Sequence, residues 1–161
     1  MTDSTQIEAI AHVVGGRREV ADDYWGGVEA IIRIDHPDFG PDSTKGLEEF
    51  SHLEIVWGFH LVDRTDLDLG PRRPRNNPEW PEVGPFGHRN MRKKNWLGVS
   101  RCKLLKVDGL DLHVMDLDAV DGSPVYDIKP WFIDFGPRGE IHQADWTTEM
   151  LKDYYAPAKP V

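Results

Sequence analysis

Several features are scarce or missing in this sequence of 161 residues, and each absence excludes a class of protein. Cys102 is the one cysteine, so neither an internal disulfide nor a zinc site built on cysteine pairs can form. No apolar run approaches the roughly 20 residues of a membrane-spanning helix, and the polar first residues lack the regions of a signal peptide. No glycine-rich loop leads from a strand into a helix, which excludes a doubly wound nucleotide-binding fold. The sequence therefore predicts a soluble, cytoplasmic protein with one domain over 1–161.

Proline and glycine are spread along the whole chain and break its apolar runs into short segments, a pattern typical of an all-β domain. Within the clearest candidate strand, Leu53, Ile55 and Trp57 share one face, which predicts a core side and a free side. An Asp108-Gly109 pair predicts a tight hairpin. Strands are predicted over 7–14, 28–34, 53–62, 97–107, 110–115 and 124–128, a helical turn over 45–50, and a short C-terminal helix over 145–154 capped by Asp145.

Positive charge is concentrated in one stretch of an otherwise acidic chain. The net charge is −9, yet residues 71–106 carry ten basic side chains and only two acidic ones. Such asymmetry predicts an anion-attracting face on an acidic body. A chance cluster of surface charges is the alternative, since nucleic-acid binders are more often basic overall.

A second cluster of charge lies in the run 118–130, where three carboxylates and a lysine occupy a turn that leads into a strand. Asp127 and Lys129 share one face of that strand. They can pair with each other, or Asp127 can face a cationic or proton-donating ligand. A surface ion pair without further role is the plainer interpretation.

Three blocks of the chain resemble, in order, the TsaA/TrmO-like family. The run 118–131 is similar to its signature Asp-x-x-Asp-Gly-Thr-Pro-Val-x-Asp-Ile-Lys-Pro-Tyr, with Ser123 for the threonine and Trp131 for the tyrosine. Residues 46–52, followed by Phe59-His60, resemble its Gly-Leu-Glu-x-Phe-Ser-His segment and the Phe-His after it. The third block, the family's Thr-Arg-Ser-x-x-Arg-Pro-Asn-Pro-Ile-Gly-x-Ser, is matched at Arg89, Asn95, Gly98 and Ser100.

This resemblance covers roughly residues 6–132 and leaves 133–161 as an extension. It implies a compact TsaA-like β-barrel that binds S-adenosylmethionine, usually as a homodimer. Known members methylate the exocyclic nitrogen of threonylcarbamoyl-adenosine beside the tRNA anticodon. Carried over position by position, the implied cofactor contacts are Tyr24, Trp25, His60, Leu61, Arg89, Val99, Leu117, Asp118, Ala119 and Val120.

The leading hypothesis is therefore an S-adenosylmethionine-dependent N-methyltransferase that acts on tRNA. Asp127 is the candidate catalytic residue, because a carboxylate can take the proton that the acceptor nitrogen loses, and Lys129 would orient it. The two alternatives are a methyltransferase for a small molecule, favoured by the acidic body, and a cofactor-binding protein without turnover. The candidate substrate-binding residues, which would meet tRNA phosphates, are Arg92, Lys93, Lys94 and Asn95.

No metal site is expected from the two histidines that share a face of the third candidate strand. His52 and His60 are eight residues apart, which on a strand separates them by roughly 26 Å. That distance is too large for one ion to bind both side chains.

Overall fold

The computed structural model describes residues 2–158, and it is dominated by a closed barrel of six antiparallel strands. All six strands that the sequence predicts are present, which confirms the all-β, barrel-like fold class. Their bounds are β1 Ala11–Val14, β2 Glu29–Ile34, β3 His52–Gly58, β4 Leu97–Asp108, β5 Asp111–Met115 and β6 Pro124–Pro130. Around the barrel they follow the order β1-β2-β5-β4-β3-β6.

Alternating side chains fill the inside of the barrel, as the period of a strand requires. In β3, Leu53 and Ile55 are fully buried and Trp57 is nearly so, while the residues between them point outward. The lone thiol, Cys102, also points inward, and burial raises its pKa to about 12. The other strands complete this core with Ala11, Val13, Ile32, Leu112, Val114 and Val125.

Two strands are several residues shorter than predicted, because the strands that pair with them end. The ladder between β3 and β4 ends where Gly58 pairs with Leu97, so the apolar alternation up to residue 62 continues outside the sheet. Likewise β1 begins at Ala11 rather than at residue 7, since its partner β2 ends at Ile34, opposite Ala11. The predicted hairpin is confirmed, with Gly109 at a φ of 61° in the two-residue loop between β4 and β5.

Helical structure is limited to short segments. The C-terminal helix α1 spans Asp145–Met150, four residues shorter than predicted, and its N-cap is Ala144, so the prediction of Asp145 as the cap is wrong. Within residues 2–158 there is no helix long and apolar enough to cross a membrane. The 3₁₀ turns are Pro41–Thr44, Leu47–Glu49, Pro74–Asn76, Pro85–Gly87 and Ile133–Phe135.

Candidate functional site

One end of the barrel collects the connections that carry the candidate cofactor and substrate residues. At this end β1, β3 and β5 finish and β2, β4 and β6 begin, because neighbouring strands are antiparallel. The connections 15–28, 59–96 and 116–123 therefore meet here, and we call this the site end. All the cofactor and substrate candidates lie in these connections, except Val99, which lies near the start of β4.

The carboxylate of Asp118 lies at the centre of a hydrogen-bond chain at the site end. Ser100 Oγ donates to Asp118 Oδ1, and the hydroxyl of Tyr154 donates to Asp118 Oδ2. The indole Nε1 of Trp57 donates to Ser100 Oγ at 2.9 Å. One carboxylate is therefore fixed from the barrel interior and from the C-terminal segment at once. It still offers acceptor sites, since a carboxylate accepts about four hydrogen bonds.

Four of the candidate cofactor residues are buried rather than open to a ligand. Leu117 and Ala119 are 1% exposed, and they close the barrel end from the turn on either side of Asp118. Val120 and Trp25 are also buried, and the guanidinium of Arg17 lies 4.3 Å from the centre of the Trp25 ring. The side chains at these four positions therefore pack beneath the surface of the site end and support it.

Of the remaining candidates, four are exposed, while Tyr24 and Asp118 are half-buried. Leu61 is 58% exposed and Val99 is 41% exposed, which is unusual for aliphatic side chains and suits contact with a ligand. The guanidinium of Arg89 donates to the carbonyl oxygen of Val99 at 3.4 Å. His60 is exposed beside the 116–123 turn, with its Nε2 3.5 Å from the point where a Cβ on Gly122 would lie.

A cleft of about 260 Å³ opens beside Leu61. Its apolar wall is formed on one side by the segment that leaves β3 and on the other by Met91, which precedes the candidate substrate residues. Charged side chains of both signs lie along it, so the cleft suits a ligand that is partly apolar and partly polar. The lining includes Val20, Phe59, Leu61, Met91, Asp63, Asp66 and Arg92.

Most of the positive charge in residues 71–106 is neutralised by acids from elsewhere in the chain. Arg75 pairs with Asp23 at 2.8 Å, and Arg92 pairs with Asp66 at 3.2 Å. Four more of the ten cations have acidic partners, and these are Arg72, Arg101, Lys103 and Lys106. Four cations have no acidic partner within residues 2–158, namely Arg73, Arg89, Lys93 and Lys94.

The loop that carries Lys93 and Lys94 is held by the carboxylate of Asp68, whose side chain is 8% exposed. Arg72 Nη1 and Asn90 Nδ2 donate to this carboxylate at 2.9 and 2.7 Å, and the backbone N–H of Asp68 donates to the carbonyl of Arg92. Burial acts to raise the pKa of Asp68, but the hydrogen bonds from Arg72 and Asn90 outweigh it and lower the pKa. The two halves of the long connection 59–96 are thus joined at one ionised side chain.

The candidate catalytic pair lies away from the site end, on the outer face of β6. Lys129 Nζ is 2.6 Å from Asp127 Oδ2, and this contact raises the pKa of Lys129. Asp127 pairs across the sheet with Val56, which in turn pairs with Val99. Asp127 and Val99 therefore face the same side, two strand spacings or about 10 Å apart.

The fold agrees with comparisons to known proteins. The family described as the tRNA-methyltransferase O N-terminal domain matches residues 23–136. The chain belongs to this family. The resemblance inferred from three sequence blocks is thereby confirmed.

Members of the tRNA-methyltransferase O family with curated names span a wide range of lengths. A tRNA (adenine(37)-N6)-methyltransferase of Mus musculus is 37% identical over 93 residues, which cover 58% of this chain and 21% of that protein. A probable S-adenosyl-L-methionine-binding protein of Methanothermobacter thermautotrophicus is 39% identical over 98 residues, covering 61% and 67%. The chain thus spans about a fifth of the mouse relative and two thirds of the archaeal one.

Solved structures of the family share the fold. TrmO from Pseudomonas aeruginosa superposes with a TM-score of 0.70 at 18% identity, covering 91% of this chain and 63% of that one. At this level of identity, the likeness speaks for the fold alone.

Two side chains in the network around Asp118 were not singled out as site residues from the sequence. Ser100 is the last residue of the third family block, so its pattern carried a usable signal, and its alternation with Gly98 and Cys102 puts it inside the barrel. Tyr154 lies beyond the match to the tRNA-methyltransferase O family, and no local pattern connects it to Asp118, 36 residues earlier. Within residues 2–158, no group of three or more metal-ligating side chains is close enough to hold an ion.

Proposed function

We propose that this chain is an S-adenosylmethionine-dependent methyltransferase that methylates the exocyclic nitrogen of adenine in tRNA, with threonylcarbamoyl-adenosine beside the anticodon as its target. The observation that carries the proposal is the convergence at one barrel end of residues inferred separately from three blocks of sequence. Relatives named tRNA (adenine(37)-N6)-methyltransferase in Mus musculus and Escherichia coli support the acceptor.

The accessible side chains at the site end fit this cofactor, which carries an amino acid, a sulfonium and an adenosine. Arg89 has no acidic partner within residues 2–158, so its guanidinium is free to pair with the cofactor carboxylate. Asp118 retains acceptor sites for an ammonium or a ribose hydroxyl. Leu61 and Val99 offer exposed apolar surface, and the buried indole N–H of Trp96 has no acceptor in residues 2–158, leaving a donor for a ligand or a water.

The cofactor supplies an activated methyl group, so the protein's task is to hold the acceptor nitrogen in line and to deal with its proton. Asp127 is our candidate for the proton acceptor, with Lys129 as the residue that orients it. Its position in one row with Val56 and Val99 would put it near a cofactor that contacts Val99. Because the pair is largely exposed, a contact through an intervening water is compatible with this role.

The acceptor RNA would approach along the loop 85–95. Lys93 and Lys94 are free of acidic partners within residues 2–158, and Phe86 is 93% exposed beside Lys93 Nζ, which lies 5.7 Å from its ring centre. An exposed aromatic ring with adjacent cations suits an unpaired base and its phosphate. The cleft beside Leu61 is our candidate for the methylated base itself.

A small-molecule acceptor is the second candidate, and the ion pairs favour it. Six of the ten cations in residues 71–106 are paired with acids, which weakens the field that would attract a polyanion. Asp63 and Asp66 in the cleft also suit a cationic or amine-bearing substrate better than a phosphate.

One experiment separates these functions. Calorimetry gives the affinity for S-adenosylmethionine, and labelled methyl transfer to bulk tRNA, followed by nucleoside mass spectrometry, gives the acceptor. We expect micromolar binding and a methylated threonylcarbamoyl-adenosine. Binding without transfer to tRNA would move the assignment to a small-molecule acceptor or to a binding protein without turnover. Absence of binding at millimolar cofactor would reject the whole proposal.

We further propose a homodimer that works in the cytoplasm, where its tRNA substrate resides. Two-fold dimers are the commonest oligomers, and the exposed aliphatic residues at the site end provide apolar surface for a partner or for the cofactor. Light scattering with the cofactor present should report twice the mass of 18.4 kDa. A monomer at micromolar concentration would contradict the dimer without touching the methyltransferase assignment.

A further inference from the structure

The C-terminal segment, residues 153–158, lies along a part of the site end. The backbone N–H groups of Tyr24 and Trp25 donate to the carbonyls of Asp153 and Tyr154 at 3.0 and 2.8 Å, and Gly26 continues the pairing in parallel with Pro157. Gly26 is needed for this approach, since a Cβ there would lie 2.1 Å from the carbonyl oxygen of Tyr155. The segment is therefore attached by backbone contacts to one of the candidate cofactor segments.

The same segment reaches a second candidate cofactor segment through a side chain. The hydroxyl of Tyr154 donates to Asp118 Oδ2, while Ser100 donates to the other oxygen of that carboxylate. Burial, together with the Asp118 charge, raises the pKa of the Tyr154 phenol, so it stays protonated and acts as the donor. Two donors from different parts of the chain thus fix both oxygens of one carboxylate.

Helix α1, directly before the segment, is anchored to the long connection 59–96. Trp80 Nε1 donates to Glu149 Oε2 at 3.0 Å. The Trp146 ring lies 6.4 Å from the ring centres of both Trp80 and His88, and His88 is buried next to Arg89. The C-terminal part of the chain therefore contacts all three connections of the site end.

We propose that the Tyr154 side chain forms one wall of the cofactor site and that Tyr154 is a positioning residue, which holds Asp118 and with it the turn 117–120. This inference rests on the proposed cofactor. It goes beyond the family resemblance, which ends before this segment. Tyr154 does not take part in the reaction. It fixes the Asp118 carboxylate, which would accept hydrogen bonds from the cofactor.

The test compares Tyr154→Phe with Tyr155→Phe, a matched control one residue away. Tyr155 is 53% exposed, and its hydroxyl makes no hydrogen bond within residues 2–158. Calorimetry should give roughly tenfold weaker S-adenosylmethionine binding for Tyr154→Phe, since one hydrogen bond to a charged group is lost. Tyr155→Phe should bind like the wild type. In turnover, the KM for the cofactor should rise while kcat changes little.

A readout without cofactor separates positioning from general stability. Hydrogen exchange of the amides of residues 117–120 should be faster in Tyr154→Phe and unchanged in Tyr155→Phe. In an Asp118→Asn background, removing the Tyr154 hydroxyl should have a smaller effect on binding, because the two residues act through one contact. Gly26→Ala, which displaces the segment by its backbone, should weaken binding as well.

The positioning role, the wall and the proposed function are each overturned by a different result. Unchanged exchange in Tyr154→Phe would overturn the positioning role, whatever the cofactor does. Faster exchange with unchanged affinity would overturn the wall, although the methyltransferase assignment would stand. If the wild type itself fails to bind, both the proposed function and the wall are rejected, while the exchange data still report whether Tyr154 anchors the turn.

Discussion

Two groups of cations, close in sequence, have different surroundings. On β4, Arg101 pairs with Glu54 at 2.8 Å and Lys103 lies 3.7 Å from Asp116. In the loop before β4, Arg89, Lys93 and Lys94 have no acidic partner within residues 2–158, and Lys93 instead donates to the carbonyl of His88 and lies beside the Phe86 ring. The first group stabilises the barrel surface, and the second is available to a ligand.

The difference shows how charge counted along a sequence relates to charge available on a surface. A stretch of ten cations suggests one broad basic face. The acids that neutralise most of it come from other strands and loops. Four cations remain: Arg73, which donates to the carbonyl of Trp80, and a basic patch at the site end that we define by Arg89, Lys93 and Lys94. How strongly this patch attracts an anion depends on the loop that holds it.

The largest effect is expected from replacing Asp68, which anchors that loop, and the quantity affected is the stability of the fold. Asp68→Asn removes a buried charge that accepts from Arg72 and Asn90, so the free energy of unfolding at pH 7 should fall by about 2 kcal/mol. Because folding lowers the pKa of Asp68 below its ordinary value, the wild type has this stabilisation above that value and loses it as the pH falls through the folded-state pKa.

Urea unfolding at pH 7 and near pH 3 measures both parts of that prediction. The stability gap between wild type and variant should narrow at the lower pH, since asparagine does not titrate. The control is Asp63→Asn, at an exposed acid in the same connection; its carboxylate accepts within residues 2–158 only from Thr65, so the change should alter stability far less. An equal loss in both variants would contradict the anchoring role.

Removing the free lysines should have the next largest effect, on tRNA affinity. The double change Lys93→Ala/Lys94→Ala should weaken tRNA binding roughly tenfold at moderate salt and flatten its salt dependence by about two units, because each phosphate contact releases a counterion. Cofactor affinity should be unchanged. The matched double change Lys103→Ala/Lys106→Ala removes two lysines that have acidic partners. Identical salt slopes for the two double variants would show that the distinction between the groups has no consequence for RNA.

A smaller effect on tRNA affinity, without a change in its salt dependence, is expected at the exposed ring beside those lysines. Phe86→Ala should weaken tRNA binding several-fold through lost base stacking and leave the salt slope unchanged. Phe86→Trp should restore the affinity. Leu69, another apolar side chain that is 80% exposed, provides the control Leu69→Ala. If Leu69→Ala weakens binding as much as Phe86→Ala, general apolar contact rather than stacking is responsible.

The smallest effect is expected at Arg92, although it is consecutive with the two lysines. Its pairing with Asp66 means that Arg92→Ala should alter the salt slope by much less than one unit. Asp66→Asn, which frees Arg92, should steepen the slope. Filter binding at four salt concentrations measures both variants, and a full unit lost in Arg92→Ala would place this residue among the phosphate contacts.

The sequence was a good guide to the barrel because its core depends on local alternation. The inward row of β3 is visible as Leu53, Ile55 and Trp57 in one parity. The strand ends were less predictable, because they depend on where a partner stops. No sequence pattern near residue 58 indicates that its partner strand β4 begins at Leu97, opposite Gly58.

The site could be predicted as a set of segments but not as a set of contacts. Family blocks identified two of the three connections that meet at the site end, 59–96 and 116–123. The pairing of Arg75 with Asp23 joins residues 52 apart, and that of Tyr154 with Asp118 joins residues 36 apart. Contacts at such separations follow from the closed topology, and no spacing in the sequence encodes them.

The reactivity of the single thiol can be used to measure transient opening of the barrel. Cys102 is 1% exposed inside the barrel, and burial raises its pKa to about 12, so at neutral pH it is both hidden and protonated. Only a thiolate reacts readily with an alkylating reagent. Labelling of the native protein therefore requires β4 to separate transiently from its neighbours, and its rate reports on that opening. Its slowing by a bound ligand would measure ligand binding on the unmodified chain, with no tag or dye.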